Sequence, residues 1–465
     1  MIPTICTVEH FDVGIVGAGP AGLLAGAVIA ANSSKSVLII EKGNEIDRRE
    51  DGPERRAWVE GVGGAGLFSD GKLCMSLDVG GHLRDELTEP EKSRLVEILD
   101  AVFRGAMGAP PARARAVASE YQAPWGHDLT VSTYPILHIG TDRGADVIRT
   151  IVAAVRGLGV EVRSNSELLD VGRGSDGTWI LKVAQASGGA KSVAVDSLIL
   201  AMGKVGAQRQ ATLCEQLGAD LISVPMYVGV RLECDAEPLR VLFSETFDPK
   251  IKLHFPDGTK IKTHCATMQG EIAALHYEGL PLAGGHGYTN RKSGRSGFAI
   301  LWDGIRRSNT FDYALKLMRA IAEHTDGKLI AQRLVDFLEG RQSTPREIRE
   351  TRLSLKDWGV GDIRDLMPEA FTQRLEAFLR VLEGEVPTLK DSNAVLIAPA
   401  IEWWMRRVAA DPHSMRSAAG IYVCGDGSGW SQGIVHAAAT GIIAAEHLLH
   451  IKVSASSLSS RMFGI

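Results

Sequence analysis

The chain has little that would tie it to a nucleic acid, a membrane or a metal. Its 51 Lys and Arg against 56 Asp and Glu leave a formal charge of −5. No basic surplus argues for a polyanionic partner, and no polybasic cluster argues for an anionic membrane surface. No apolar run reaches the ~18–20 residues of a membrane-spanning helix. Six cysteines (Cys6, Cys74, Cys214, Cys234, Cys265 and Cys424) are scattered without a C-x-x-C pair or metal-ligand spacing. That pattern excludes a disulfide scaffold and predicts a reduced setting. The opening residues lack a basic region followed by an apolar stretch and a cleavage site, so a cytoplasmic protein is expected. No repeat of fixed period occurs, and 45% hydrophobic with 23% charged residues excludes a disordered chain.

Glycine, in contrast, is abundant: 51 of 465 residues, about 11% where ~7% is ordinary. Tight turns and close backbone approaches are therefore expected. The length exceeds the ~250–300 residues at which a single core stops growing, so several cooperating units are expected.

The opening is the most informative stretch. FDVGIV (11–16) reads as a buried strand, AGLLAGAVIAA (21–31) as a small-residue helix and VLIIE (37–41) as a second buried strand. This βαβ unit suits a parallel sheet covered on both faces. Between strand and helix stands Gly17-Ala18-Gly19-Pro20-Ala21-Gly22, a G-x-G-x-x-G. The first glycine permits the turn, the second lets a pyrophosphate approach, and the third lets helix and strand pack closely. The helix N-terminus is aimed at the negative charge. Glu41, 19 residues past Gly22 and followed by Lys42, supplies the acid expected on a ribose hydroxyl. A dinucleotide is predicted here, but NAD and FAD share the fingerprint. The far end of the chain discriminates. There Tyr422-Val423-Cys424-Gly425-Asp426 reads as a strand delivering an acid into a glycine turn, and Gly433-Ile434-Val435 opens a helix over about 433–449. An acid and a helix start so placed suit the ribityl chain and ring of a flavin.

This pairing resembles the glutathione-reductase-like FAD fold. Gly61-Val62-Gly63-Gly64-Ala65-Gly66-Leu67-Phe68-Ser69-Asp70-Gly71-Lys72-Leu73, His138-Ile139-Gly140-Thr141-Asp142 and Gly425-Asp426-Gly427-Ser428-Gly429 resemble motifs of little-characterised bacterial FAD-dependent dehydrogenases. The resemblance implies FAD as cofactor. It also implies that Gly63, Gly64, Gly66, Ser69 and Asp70 line its pyrophosphate and ring side, and that the backbone of Leu168 meets the adenine. Met202 and Gly203 stand where an Ala-Thr-Gly turn is usual, with Met in place of the hydroxyl. Thr263-His264-Cys265-Ala266-Thr267-Met268 lacks the second Cys common in the family, which weakens any two-cysteine role.

On the substrate side, Arg231 matches a family arginine and is a candidate partner for an acidic group, with a solvated strand arginine as the alternative. His286, Tyr288, Asn290 and Arg295 cluster in a Gly-rich loop that suits a ligand lid. Cys265 is a candidate to face the flavin, although a lone cysteine in a β run is more often a small buried hydrophobe. Trp430 and Gln432 lie beside the late helix start, and His436 is expected to be packed. The catalytic candidates are thus Cys265, Arg231, Tyr288 and Asn290.

The expected architecture is α/β. A Rossmann-like, glutathione-reductase-like FAD-binding domain is assembled from 1–80, 136–224 and 396–465. A helical excursion at 81–135 and an inserted substrate domain at 225–395, β-rich and then helical, interrupt it. IKLHF and IKTHCAT flank Pro256-Asp257-Gly258-Thr259, a hairpin signal. Amphipathic helices are expected at 311–324, 328–340 and 369–383, and the Ser-rich tail is expected to fray. The expected activity is hydride transfer between a small organic substrate and flavin N5. A flavin monooxygenase and a non-catalytic electron-transfer flavoprotein are the alternatives. A second G-x-G-x-x-G unit is absent, so electrons would pass to or from an external donor or acceptor.

Overall fold

The computed structural model describes residues 8–50, 59–68, 70–109, 119–122, 129–185, 188–243, 246–402 and 405–464. The chain is mixed α/β and is built on two sheets.

The first sheet has seven strands. Glu161–Arg163, Val37–Ile40, Glu9–Val16 and Ala190–Leu200 run side by side in parallel, with Tyr422–Val423 parallel to the last of these. Trp179–Ala184 and Leu168–Arg173 complete it as an antiparallel edge. Val37–Ile40 is buried at every position, because both faces of this parallel strand are covered: Val37 and Ile39 pack with the helix Pro20–Asn32, and Leu38 and Ile40 with the antiparallel edge strands. The helix Pro20–Asn32 begins with proline in its first turn, where a missing N–H costs nothing. Its residues are small and almost all buried, and it packs along the helix Ile434–Leu449.

The second sheet has nine strands, in the order Trp358–Val360, Leu329–Arg333, Val395–Glu402, Met226–Asp235, Arg295–Ile305, Lys260–Thr267, Lys250–His254, Leu129–Thr133 and Ser119–Gln122. Lys250–His254 and Lys260–Thr267 form the hairpin signalled by Pro-Asp-Gly-Thr, with Lys252 opposite Lys262. A two-stranded ribbon, Glu271–Tyr277 with Leu280–His286, lies against this sheet. The helices Thr310–His324 and Glu369–Glu385 fall where their periodicity places them.

Two expectations are overturned. Residues 328–340 are not one helix: Leu329–Arg333 is a strand, followed by the short helix Leu334–Leu338. Its buried run Leu329-Ile330-Ala331 pairs with Val395–Glu402 on one side and Trp358–Val360 on the other, and periodicity alone does not separate such a run from a helix. The Ser-rich tail does not fray either. Ala455–Phe463 is a helix capped by Ser454, and Leu458 and Met462, four residues apart, are buried where it meets the helix Glu89–Ala106. Within 81–135 the structure holds that same helix and also Leu129–Thr133, which pairs with Lys250–His254. The Ser69 expectation lies outside the described residues. No helix among the described residues is long and apolar enough to cross a membrane.

Candidate functional site

The fingerprint turn is shaped by two close approaches. Gly17 has φ +110°, and a Cβ there would stand 2.1 Å from the Ala201 carbonyl oxygen. A Cβ on Gly22 would stand 1.9 Å from the carbonyl oxygen of Gly17. Gly19, by contrast, is open, and no side chain caps the helix that starts after it. The first N–H groups of that helix are therefore left for a ligand. The Glu41 carboxylate, 7% exposed, accepts from the Ala18 and Gly43 N–H groups, both at 2.9 Å. It ties the end of the second strand to the turn while facing the cavity described next.

A single cavity of about 520 Å³ runs from this turn to the face of the second sheet. At the near end it is lined by Gly17, Gly19, Pro20, Ala21, Glu41, Lys42 and Leu168. Along its length stand Gly64, Gly66, Met202, Gly203, Gly425, Asp426, Gly433 and Ile434. At the far end are Asp70, Arg231 and Cys265, against a floor of small residues that includes Gly285, Ala299 and Ala400. Gly22, Gly63 and Val435 lie behind the lining, packed against the turn or the core. Tyr288 and Asn290 stand outside it. Tyr288 carries the Arg291 guanidinium 3.8 Å above its ring, and Asn290 is exposed. Their loop is pinned rather than free, since Thr141 N–H donates to the Gly287 carbonyl at 2.8 Å and Thr289 N–H to Asp142 at 2.8 Å.

Asp426 has two tasks. Its carboxylate lines the cavity and also accepts from Ser431 Oγ at 2.7 Å and from the Gly433 N–H at 3.3 Å, at the start of the helix Ile434–Leu449. Burial pushes its carboxyl up to about 6, against a partial pull downward from Lys204. Lys204 itself pairs with Glu402 at 2.8 Å, and Gln432 donates to the same carboxylate.

The far end holds a buried ionic cluster. Lys72 Nζ is 2.7 Å from Asp70, Lys250 Nζ is 2.8 Å from Asp248, and Tyr134 donates to Asp248 at 2.8 Å. Cys265 Sγ donates to Asp70 Oδ2 at 3.0 Å. Burial alone would raise both carboxyls, but the two lysines hold Asp70 and Asp248 below the usual range. Burial and Asp70 push the Cys265 thiol up to about 11, so at neutral pH Cys265 is a protonated hydrogen-bond donor, not a thiolate. Two cations and two anions cancel, leaving a fixed, neutral set of dipoles.

Several of these residues escaped the sequence reading. Lys72 belongs to the glycine-rich motif at 61–73, whose pattern does not single it out, while Asp248, Lys250 and Tyr134 carry no local signal. Arg49 is fully buried and donates to the carbonyls of Gly61, Val62 and Gly64. With the Gly63 N–H donating to the Ala18 carbonyl at 2.8 Å, it locks the second glycine loop onto the fingerprint turn. Arg295 is structural, paired with Asp235 at 2.7 Å. Trp430 donates to the Val408 carbonyl, and His436 is buried against the Leu77 carbonyl. Among the described residues no cluster of three or more His, Cys, Asp or Glu could hold a metal ion.

Residues 15–55 match the NAD(P)-binding Rossmann-like domain family. Over 474 aligned residues the chain is 24% identical to an uncharacterized protein of Clostridium beijerinckii, covering 94% of this chain and 80% of that one. Among solved structures it is similar to a flavoprotein/dehydrogenase from Cytophaga hutchinsonii (12% identity, 95% of this chain and 80% of that chain, TM-score 0.45). It is also similar to glycine oxidase from Geobacillus kaustophilus (15% identity, 96% of each chain, TM-score 0.43).

Proposed function

We propose that the chain is an FAD-dependent oxidoreductase of the dehydrogenase or reductase type, passing a hydride between a small organic substrate and flavin N5. The observation that carries this reading is the continuity of the cavity. One volume joins a dinucleotide fingerprint, a second uncapped helix start beside Asp426, and a sheet face of small residues.

The residues present suit that cofactor. Glu41 offers its carboxylate to ribose hydroxyls, and the helix beginning at Pro20 offers free N–H groups to a pyrophosphate. Asp426 and the start of the helix Ile434–Leu449 suit a ribityl chain and the ring beyond it. When bound, FAD supplies the two-electron chemistry at N5. The protein supplies the rest. Gly285, Ala299 and Ala400 leave room for a substrate, the neutral ionic cluster presents oriented dipoles without a mobile charge, and Cys265 holds its proton on sulfur toward Asp70.

The match to an NAD(P)-binding domain favours a second reading, in which a nicotinamide dinucleotide occupies the same fingerprint. Adding FAD to the purified protein, removing unbound cofactor and mixing anaerobically with small acids, amines, alcohols and NAD(P)H separates the readings. Retained flavin that is bleached by a small molecule fits the proposal. Flavin reduced only by a protein donor favours an electron carrier, and failure to retain FAD refutes the flavin reading.

A further inference from the structure

We propose that the far end of the cavity is a carboxylate subsite built on Arg231, and that the substrate is a small organic monocarboxylate. The inference rests on the reading above that this end of the cavity receives substrate.

Arg231 lies on the strand Met226–Asp235 and is only 3% exposed, yet it lines the cavity. Its Nη2 donates to the Cys265 carbonyl at 2.9 Å, and its buried Nε has no hydrogen-bond partner among the described residues. No carboxylate among the described residues lies within ion-pair distance of it. The other cations of the lining differ. Lys42, Lys72, Lys204 and Lys250 are paired with Glu60, Asp70, Glu402 and Asp248, and Arg209 is half-buried near Leu168 and bonded to the Leu169 carbonyl. A charge taken out of water without a counter-ion is costly, so the missing anion is the ligand's.

The surroundings define its class. Arg231 stands opposite Ala299, which in turn stands opposite His264, so one row across three strands faces the ribbon above. His264 lines the same cavity and His286 lies within electrostatic reach of the guanidinium; burial holds both neutral, His286 at about 4. Among the described residues, Arg231 is the one cation at this end of the cavity lining without a carboxylate partner, and a single charge suits a monoanion better than a phosphate dianion. Guanidinium also matches the planar carboxylate geometrically. Gly285 completes the site: a Cβ there would stand 2.6 Å from Nη2, so glycine lets the guanidinium lie against the ribbon.

Calorimetric titration of the full-length protein with propionate and benzoate, and with propionamide, benzamide and inorganic phosphate as comparators, tests the inference. The carboxylates are expected to bind at least ~10-fold more tightly than the matching amides, in line with a charge-assisted hydrogen bond. Arg231→Gln should abolish that preference. Gly285→Ala, which keeps the charge but crowds it, should reduce it. Equal binding of amides and carboxylates, tighter binding of phosphate, or an undiminished preference in Arg231→Gln overturns the proposal. If Arg231→Gln fails to fold, the wild-type comparison and Gly285→Ala still decide. FAD uptake without carboxylate preference overturns the subsite alone, whereas an Arg231-dependent preference in a protein that takes up no FAD supports the subsite and refutes the flavin reading.

Discussion

Replacing Asp426 by asparagine tests by pH whether burial of its carboxyl destabilises the folded apoprotein once it ionises. In the apoprotein, burial raises the carboxyl from 3.8 to about 6. At about 1.4 kcal/mol per pH unit, ionising it in the folded state costs about 3 kcal/mol relative to the unfolded chain. The sign follows from the raised value. The favourable contribution is fully present below pH 3.8 and is lost as pH rises through about 6. A carboxylate near a helix start recovers about 0.3–1 kcal/mol of this, and Ser431 and Gly433 already donate to it. Asp426→Asn keeps the shape and an acceptor but cannot ionise. Thermal melts of both apoproteins from pH 4 to pH 8 should therefore start close together. The wild type should then fall below the variant by about 2–3 kcal/mol, a few degrees of midpoint, above pH 7. A constant offset across the range, or a less stable variant at pH 8, refutes the argument. Asp426→Ala supplies the other half: if this truncated variant retains full, spectrally unchanged FAD, Asp426 is structural only.

Glu41→Ala should weaken FAD binding about 10- to 150-fold in a fluorescence titration of the apoprotein, the equivalent of ~1.5–3 kcal/mol for a hydrogen bond to a charged group. Unchanged affinity with a lowered melting point would leave Glu41 a staple for Ala18 and Gly43. Lys72→Met strands the buried Asp70 carboxylate, and a loss of about 3–5 kcal/mol of stability is expected in denaturant unfolding at pH 7; a loss under 1 kcal/mol would show that the cluster is solvated. Cys265, with its thiol held near 11, should resist iodoacetamide at pH 7 when alkylation is followed by peptide mass spectrometry. Rapid labelling there would mean that the Asp70 contact does not hold the proton.

What the sequence disclosed and what it hid follow from how far each interaction reaches. The fingerprint was legible because Gly17, Gly22 and Glu41 act on partners within a single βαβ unit. The hairpin at Pro256-Asp257-Gly258-Thr259 was legible because its turn is local. The ionic cluster was not, since it joins Lys72, Tyr134, Asp248 and Cys265 from three distant segments, and nothing in each segment's pattern announces the others. Leu329–Arg333 was read as helix because its strand character comes from pairing with Val395–Glu402. The tail looked frayed by composition, yet Leu458 and Met462 are buried where it docks on the helix Glu89–Ala106. Arg231 was visible as a residue, but its lack of a counter-ion emerged only when the neighbouring strands were in place.

The cofactor released from the protein tests the central claim most directly. Purified protein, incubated with FAD if it emerges colourless, is freed of unbound ligand and heat-denatured, and the supernatant is separated by chromatography against FAD, FMN, NAD and NADP standards. A yellow protein that releases FAD in near-stoichiometric amount is the predicted result. Release of FMN or of a nicotinamide dinucleotide, or no retained flavin after incubation, would contradict it.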